Sequence, residues 1–257
     1  MRRLFHLLLV AAAVFCSCSK TLTNNLPTTD VDQNIYVGIC PSGIGNTALG
    51  YYRSIIKSVG GTLSVNADYC WTQEAAQTYV SKVDAIIAPG STSGDHDDRG
   101  TSDNLIIKAA ISAGKPVLGI CYGHQRLNMV LGGANKKIEV LAPESTVVHK
   151  RMNGSTNVGI RSEIHSITID TTSVLYSLLG ASEVKVNSSH VYAIGTLSSK
   201  LKVVARSEDG IIEAVEGDKV MGVQFHPEYL CGEMNKMQFK PIFQHLVDMA
   251  GEVKFGK

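Results

Sequence analysis

The sequence has little of what marks a membrane-spanning, fibrous or nucleic-acid-binding protein. Across 257 residues the formal charge is only +1, which leaves no basic footprint for nucleic acid and no basic membrane patch. The apolar run Leu4–Phe15, broken at His6, covers about 12 residues. A bilayer-spanning helix needs roughly 20. Cysteine is scarce: beyond Cys16 and Cys18 only Cys40, Cys70, Cys121 and Cys231 remain, without regular spacing, so they do not form a disulfide scaffold. A Cys40–Cys70 bridge is one pairing that an oxidising compartment would allow. There is no internal repeat. Trp71, the only Trp, is expected to pack at a strand end. What is present is ordinary: 44% apolar residues in a chain long enough for one domain with a large core, or at most two small ones.

The N-terminus is set apart by its pattern. Arg2 and Arg3 precede the short apolar run, and Cys16, Ser17 and Cys18 follow it. This is the order of a secretory signal, and small residues before a Cys resemble a bacterial lipoprotein signal. The expectation is a signal peptide over 1–17 with Cys18 lipidated. Cys16 is the alternative acceptor, and an ordinary secretory signal is the blander reading. Removing residues 1–17 takes away two arginines and no acid, moving the formal charge from +1 to −1. Residues 18–33 are polar and aperiodic, as a flexible tether would be. The globular domain is expected over 34–257, in the envelope of a bacterium and facing the periplasm, touching the membrane only through the lipid.

From residue 34 strands and helices alternate. Asn34–Cys40, Thr62–Val65, Val83–Ala88 and Pro116–Ile120 read as buried strands; 45–59, Thr72–Val80, Ser102–Ala113 and Gly123–Leu131 read as helices between and after them. That alternation implies an α/β fold with a doubly wound, mostly parallel sheet flanked by helices. The later half carries short strands with little helix: Ser166–Asp170, Val184–Asn187, Lys202–Ser207, Ile211–Glu216 and Val220–Phe225. Asp209-Gly210 is a hairpin signal between two of them. Antiparallel strands therefore extend or flank the parallel sheet, and a last helix runs from about Lys236 to Ala250.

Two segments carry chemistry. In Gly119-Ile-Cys121-Tyr-Gly123, a buried strand ends at a cysteine and a helix begins at once. This is the spacing of a nucleophile on a sharp strand-to-helix turn, where the neighbours must be small. The helix N-terminus favours the Cys121 thiolate, and the Tyr122 N–H is suited to an oxyanion hole. In His226-Pro-Glu228, proline breaks a strand so that His226 projects at the sheet's carboxyl edge, with Glu228 two residues on to orient the ring. Each motif alone is weak. Together they point to a Cys121–His226–Glu228 triad, which calls for no metal or organic cofactor.

At these residues the sequence resembles a family. GICYGHQ at 119–125 and GVQFHPE at 222–228 are similar to the two signatures of class I glutamine amidotransferases, and the resemblance runs over about 34–250. Ala88-Pro-Gly90, Arg99, VNSSH at 186–190 and DGIIEAVE at 209–216 look most like the γ-glutamyl-γ-aminobutyrate hydrolase, or peptidase C26, branch. The resemblance implies a flavodoxin-like fold and a small γ-glutamyl substrate. It also implies a second oxyanion donor from Gly90–Ser91, and a glutamyl site built from Gln125, Ser188, Ser189 and His190. Ser91, Gly100 and Tyr192 stand where the family usually has Gly, Asp and Gln, and STSGDHDD at 91–98 departs from its pattern.

The remaining histidines and acids read blandly. Asp95, His96, Asp97 and Asp98 suit a solvated loop, since no partners lie at zinc-like spacing. His149 and His165 suit structural strand or loop positions, and Cys231 a loop. Three functions follow: a cysteine hydrolase of γ-glutamyl amide or peptide bonds, a glutaminase subunit supplying ammonia to a synthase, and a non-catalytic binding lipoprotein. The export signal argues against the second, and the complete triad against the third. Nucleic acid is not expected as a partner; a homodimer is left open. Envelope location would make γ-linked glutamyl peptides of cell-wall origin a candidate substrate.

Overall fold

A computed structural model describes residues 32–41, 44–66, 68–91 and 98–256. The signal peptide, the candidate lipidation site Cys18, its alternative Cys16, and His96 with its acidic neighbours Asp95 and Asp97 lie outside those residues. Within them the chain runs β1 (Ile35–Ile39), α1 (Asn46–Ser58), β2 (Gly61–Val65), α2 (Gln73–Ser81), β3 (Ala85–Ala88), α3 (Asp98–Ser112), β4 (Val117–Ile120) and α4 (Tyr122–Val130). It continues through β5 (Ala134–Lys137), α5 (Ile138–Leu141), β6 (Met152–Asn153), β7 (Thr156–Asn157), β8 (His165–Ile169), α6 (Val174–Leu179), β9 (Glu183–Val186) and β10 (Tyr192–Thr196). The last elements are β11 (Lys202–Ser207), β12 (Ile212–Gly217), β13 (Val220–Val223), α7 (Pro227–Gly232) and α8 (Lys240–Phe255).

One nine-stranded sheet organises the domain, in the order β2-β1-β3-β4-β13-β12-β11-β8-β9. The first five strands are parallel and the last four add antiparallel pairs, as the alternation of elements and the Asp209-Gly210 turn predict. Helices cover both faces. On one, Ile55 and Ile56 of α1, Leu230 of α7 and Phe243 of α8 pack on the inward side chains of β1 and β4. On the other, Val80 of α2, Ile106 and Ile107 of α3 and Leu127 of α4 pack on Ile86, Val117 and Val215. The strands of the parallel half are buried on both faces, which is why β3 and β4 read as unbroken apolar runs.

Several elements differ from the sequence reading. Helix α3 begins a turn earlier, and the short α6 sits where strands alone are expected. A separate two-stranded pair, β5 with β10, escaped the pattern because β5, Ala-Asn-Lys-Lys, is polar and little buried. Strand β13 ends at Val223, short of the expected Phe225 and before Pro227, which instead opens α7 in its first helical turn. Cys40, Cys70, Cys121 and Cys231 are all buried free thiols, so the Cys40–Cys70 bridge is not formed. Trp71 is 54% exposed, stacked at a tilt on Tyr69 rather than packed into the core. No helix among the described residues is long and apolar enough to cross a membrane.

Candidate active site

Strands β3, β4 and β13 are neighbours, parallel, and end together. Gly119 pairs with Ala88 on one side and Gly222 on the other, and Ile120 pairs with Val223. The next residues of all three strands therefore emerge at one place on the carboxyl edge. They are Gly90–Ser91, Cys121–Tyr122 and His226, and all of them line a cavity of about 380 Å³.

Cys121 stands between β4 and α4 with φ 51° and ψ −103°, in the positive-φ region that a side chain rarely occupies. Its N–H donates to the Val223 carbonyl at 2.8 Å, so the neighbouring strand helps to hold the turn. The flanking glycines are required by close packing. A Cβ at Gly119 would lie 2.7 Å from the Gly123 carbonyl oxygen, and one at Gly123 would collide with the Ala88 carbonyl. The sulfur faces the Ser189 carbonyl at 4.0 Å.

His226 caps α7, and its Nδ1 lies 2.8 Å from Glu228 Oε1. Burial works against charge on the ring, but Cys121 and Glu228, both interacting with it, outweigh burial and push its pKa up to about 10. The Gly90 backbone rests against both partners: a Cβ there would lie 2.5 Å from His226 Cε1 and 3.6 Å from Cys121 Cβ. Only glycine permits that approach. Tyr52 of α1, buried beside Glu228, has its hydroxyl held protonated by burial and by that carboxylate.

Asn187, which the sequence reading passes over within VNSSH, clamps the His226 backbone. Its Oδ1 accepts from the His226 N–H at 2.9 Å, and its Nδ2 donates to the His226 carbonyl at 3.0 Å. Sequence carries no signal for this role, because it rests on burial: a fully buried Asn must find hydrogen-bond partners.

The residues expected to hold substrate divide. Gln125 lines the cavity, but its amide donates to the Tyr192 carbonyl at 2.7 Å and to Gln224 Oε1 at 3.2 Å. Ser188 is fully buried, and its hydroxyl donates to the His149 carbonyl at 2.8 Å. Ser189 lines the cavity, and its hydroxyl accepts from Asn157. His190 also borders the cavity, yet its ring turns inward, with Nδ1 on the Tyr192 carbonyl at 2.9 Å and Nε2 toward Glu213. Burial pulls the neighbouring His124 down to about 4, so it stays neutral.

A three-layer α/β domain whose central parallel strands end at a strained cysteine, a buried histidine and a glycine loop has the class I glutamine amidotransferase fold. The solved structure of a glutamine amidotransferase from Thermotoga maritima shares that fold with a TM-score of 0.58 at 13% identity, covering 88% of this chain and 100% of its own. The peptidase C26 family profile matches residues 42–228. The chain therefore belongs to the peptidase C26 family, within the cysteine-type hydrolases of the glutamine amidotransferase-like superfamily. It is 32% identical to the γ-glutamyl-γ-aminobutyrate hydrolase PuuD of Escherichia coli strain K12, over 59% of this chain and 66% of that protein. It is also 32% identical to a putative glutamine amidotransferase-like protein, YvdE, of Lactococcus lactis, over 60% of this chain and 70% of the relative.

Proposed function

We propose that the protein hydrolyses γ-glutamyl amide or peptide bonds through a thioester on Cys121. The observation that carries this reading is the placement of Cys121, at φ 51°, against His226, whose far nitrogen is held by Glu228 at 2.8 Å. The Cys121 thiolate attacks the γ-carbonyl carbon. The oxygen gains negative charge facing the backbone N–H groups of Tyr122 and the Gly90–Ser91 loop. The carbon–nitrogen bond breaks as His226 gives its proton to the leaving amine, and a thioester remains. His226, now neutral, takes a proton from water, whose oxygen attacks the thioester. The glutamyl group leaves as a free carboxylate and the thiolate is restored. Glu228 holds the ring in the required tautomer throughout.

With Gln125 and Ser188 committed to protein partners, the glutamyl portion is held chiefly by groups left facing the cavity. These are the Ser189 backbone, Tyr192 and the Gly90–Ser91 loop. The N-terminal pattern of Arg2, Arg3, Leu4–Phe15 and Cys18 supports an exported lipoprotein, with γ-linked glutamyl peptides of the envelope among its substrates. Incubation of the purified full chain with γ-glutamyl amides, γ-glutamyl peptides and L-glutamine, followed by assay of the released amine, tests the reading. Release from γ-glutamyl amides that is abolished in Cys121→Ala supports it. Release confined to L-glutamine would favour the glutaminase reading, and equal rates in both proteins would refute a cysteine mechanism.

A further inference from the structure

Behind the cavity wall at His190, four polar side chains from four separate segments converge on one buried point. His149 comes from the loop after α5, His165 from the start of β8, His190 from the segment after β9, and Glu213 from β12. One nitrogen of each ring and a Glu213 oxygen all lie within 4.8 Å of one another. Their side chains are 3%, 6%, 2% and 0% exposed in that order. From Glu213 Oε1 it is 3.4 Å to His149 Nδ1, 3.7 Å to His165 Nε2 and 3.7 Å to His190 Nε2. None of these three nitrogens, nor either Glu213 oxygen, makes a hydrogen bond.

We propose that His149, His165, His190 and Glu213 bind one zinc-type divalent metal ion. Three arguments carry the site. The first is spacing: four ligands at about 2.0–2.1 Å in a tetrahedron stand about 3.3 Å apart, close to the separations from Glu213. The second is the set of outer contacts. His149 Nε2 meets Asp209 Oδ2 at 3.0 Å, His165 Nδ1 the Ser166 carbonyl at 3.2 Å, and His190 Nδ1 the Tyr192 carbonyl at 2.9 Å. Each of those partners can only accept, so each outer nitrogen carries the hydrogen and each inner one presents a lone pair to the centre. This is how metal-binding histidines are oriented. Asp209 is itself fixed, accepting from Ser145 at 2.5 Å and Ser207 at 2.6 Å. The third is cost: a fully buried carboxylate with no hydrogen bond on either oxygen is unfavourable unless a cation meets it.

Three imidazoles and one carboxylate suit zinc, and the burial leaves no open coordination position, so the ion is structural rather than catalytic. It would tie β8 and β12 to the Ser188–His190 segment, whose Ser189 carbonyl faces Cys121. The competing state of the same residues is a metal-free network with one ring protonated against Glu213. The inference does not depend on the hydrolase reading.

The test uses the full chain, purified, stripped with a chelator and titrated with zinc. About one zinc per chain by elemental analysis is expected, with a Tm increase of about 5 °C or more. Cobalt(II) in place of zinc should give the intense visible absorption of a tetrahedral site without a sulfur-to-cobalt band. His165→Gln and Glu213→Gln should lose it, and Cys121→Ala should keep it. Should the two variants fail to fold, the wild-type cobalt spectrum decides alone. A stoichiometry near zero, a weak octahedral spectrum or a sulfur band would overturn the proposal in favour of the metal-free network or an ion at a cysteine.

Discussion

The two halves of the central sheet place polar chemistry in opposite ways. In the parallel half, β3, β4 and β13 keep their strands apolar and deliver functional groups only at their ends, where register alone brings Cys121 and His226 together. In the antiparallel half, polar side chains sit inside: Glu213 lies on β12 between Ile212 and Ala214, fully buried, and meets histidines from three other segments. The halves touch where β13 pairs with β12 and the Gln224 N–H donates to the Glu213 carbonyl at 2.8 Å. A site at strand ends can be built from two short motifs. A site inside a sheet layer needs its residues supplied from across the chain.

The comparison can be broken first in the parallel half. Cys121→Ala should lower kcat by about 10³-fold or more, because the proposed covalent route is lost; amine release under saturating substrate measures it. Glu228→Gln should lower kcat by about 10²–10⁴-fold while KM moves little, since the ring loses its orienting carboxylate at 2.8 Å but the cavity keeps its shape. An unchanged kcat would show that His226 needs no such partner. Gly123→Ala should destabilise the domain by about 1–3 kcal/mol, since its Cβ collides with the Ala88 carbonyl. Chemical denaturation reads that loss, and Gly50→Ala, where a Cβ meets nothing within 4 Å, is the control.

Asn187→Ala sharpens the comparison where the halves meet. It removes both side-chain bonds to the His226 backbone and should cost about 1–3 kcal/mol. It should also lower kcat more than it raises KM, as a positioning residue would. The smallest effect expected is on titration. The folded-state pKa of His226 is raised to about 10 from an ordinary 6.5. Its contribution to stability is therefore present in full below about pH 6.5 and is lost as pH rises through about 10. Cys121→Ala removes the leading group that opposes burial, so the imidazole resonance of His226 followed by NMR should titrate at lower pH in the variant.

The same contrast explains what could be read in advance. The parallel half is legible because period and punctuation coincide there: apolar runs buried on both faces, glycines at the turn, and Pro227 opening the helix after β13. The geometry of Gly119 and Gly123 is a purely local demand. The family resemblance points Gln125, Ser188 and His190 toward substrate, and sequence does not reveal that each also bonds to the protein. The cluster around Glu213 was illegible for a different reason. His149 and His165 look incidental alone, and Glu213 is embedded in an apolar strand whose burial on both faces removes the alternation that would mark it. The order β12-β11-β8 puts the strands of Glu213 and His165 two apart in one sheet, and His149 joins them from a loop outside it.

The central claim, a covalent glutamyl intermediate on the cysteine at the end of β4, is tested most directly by trapping it. Acid quenching of the enzyme during turnover of a γ-glutamyl amide, followed by peptide mass spectrometry, should find one glutamyl group on the peptide that contains Cys121. It should be absent from Cys121→Ala. Turnover that proceeds with no adduct at Cys121, or at an undiminished rate without that thiol, would contradict the account.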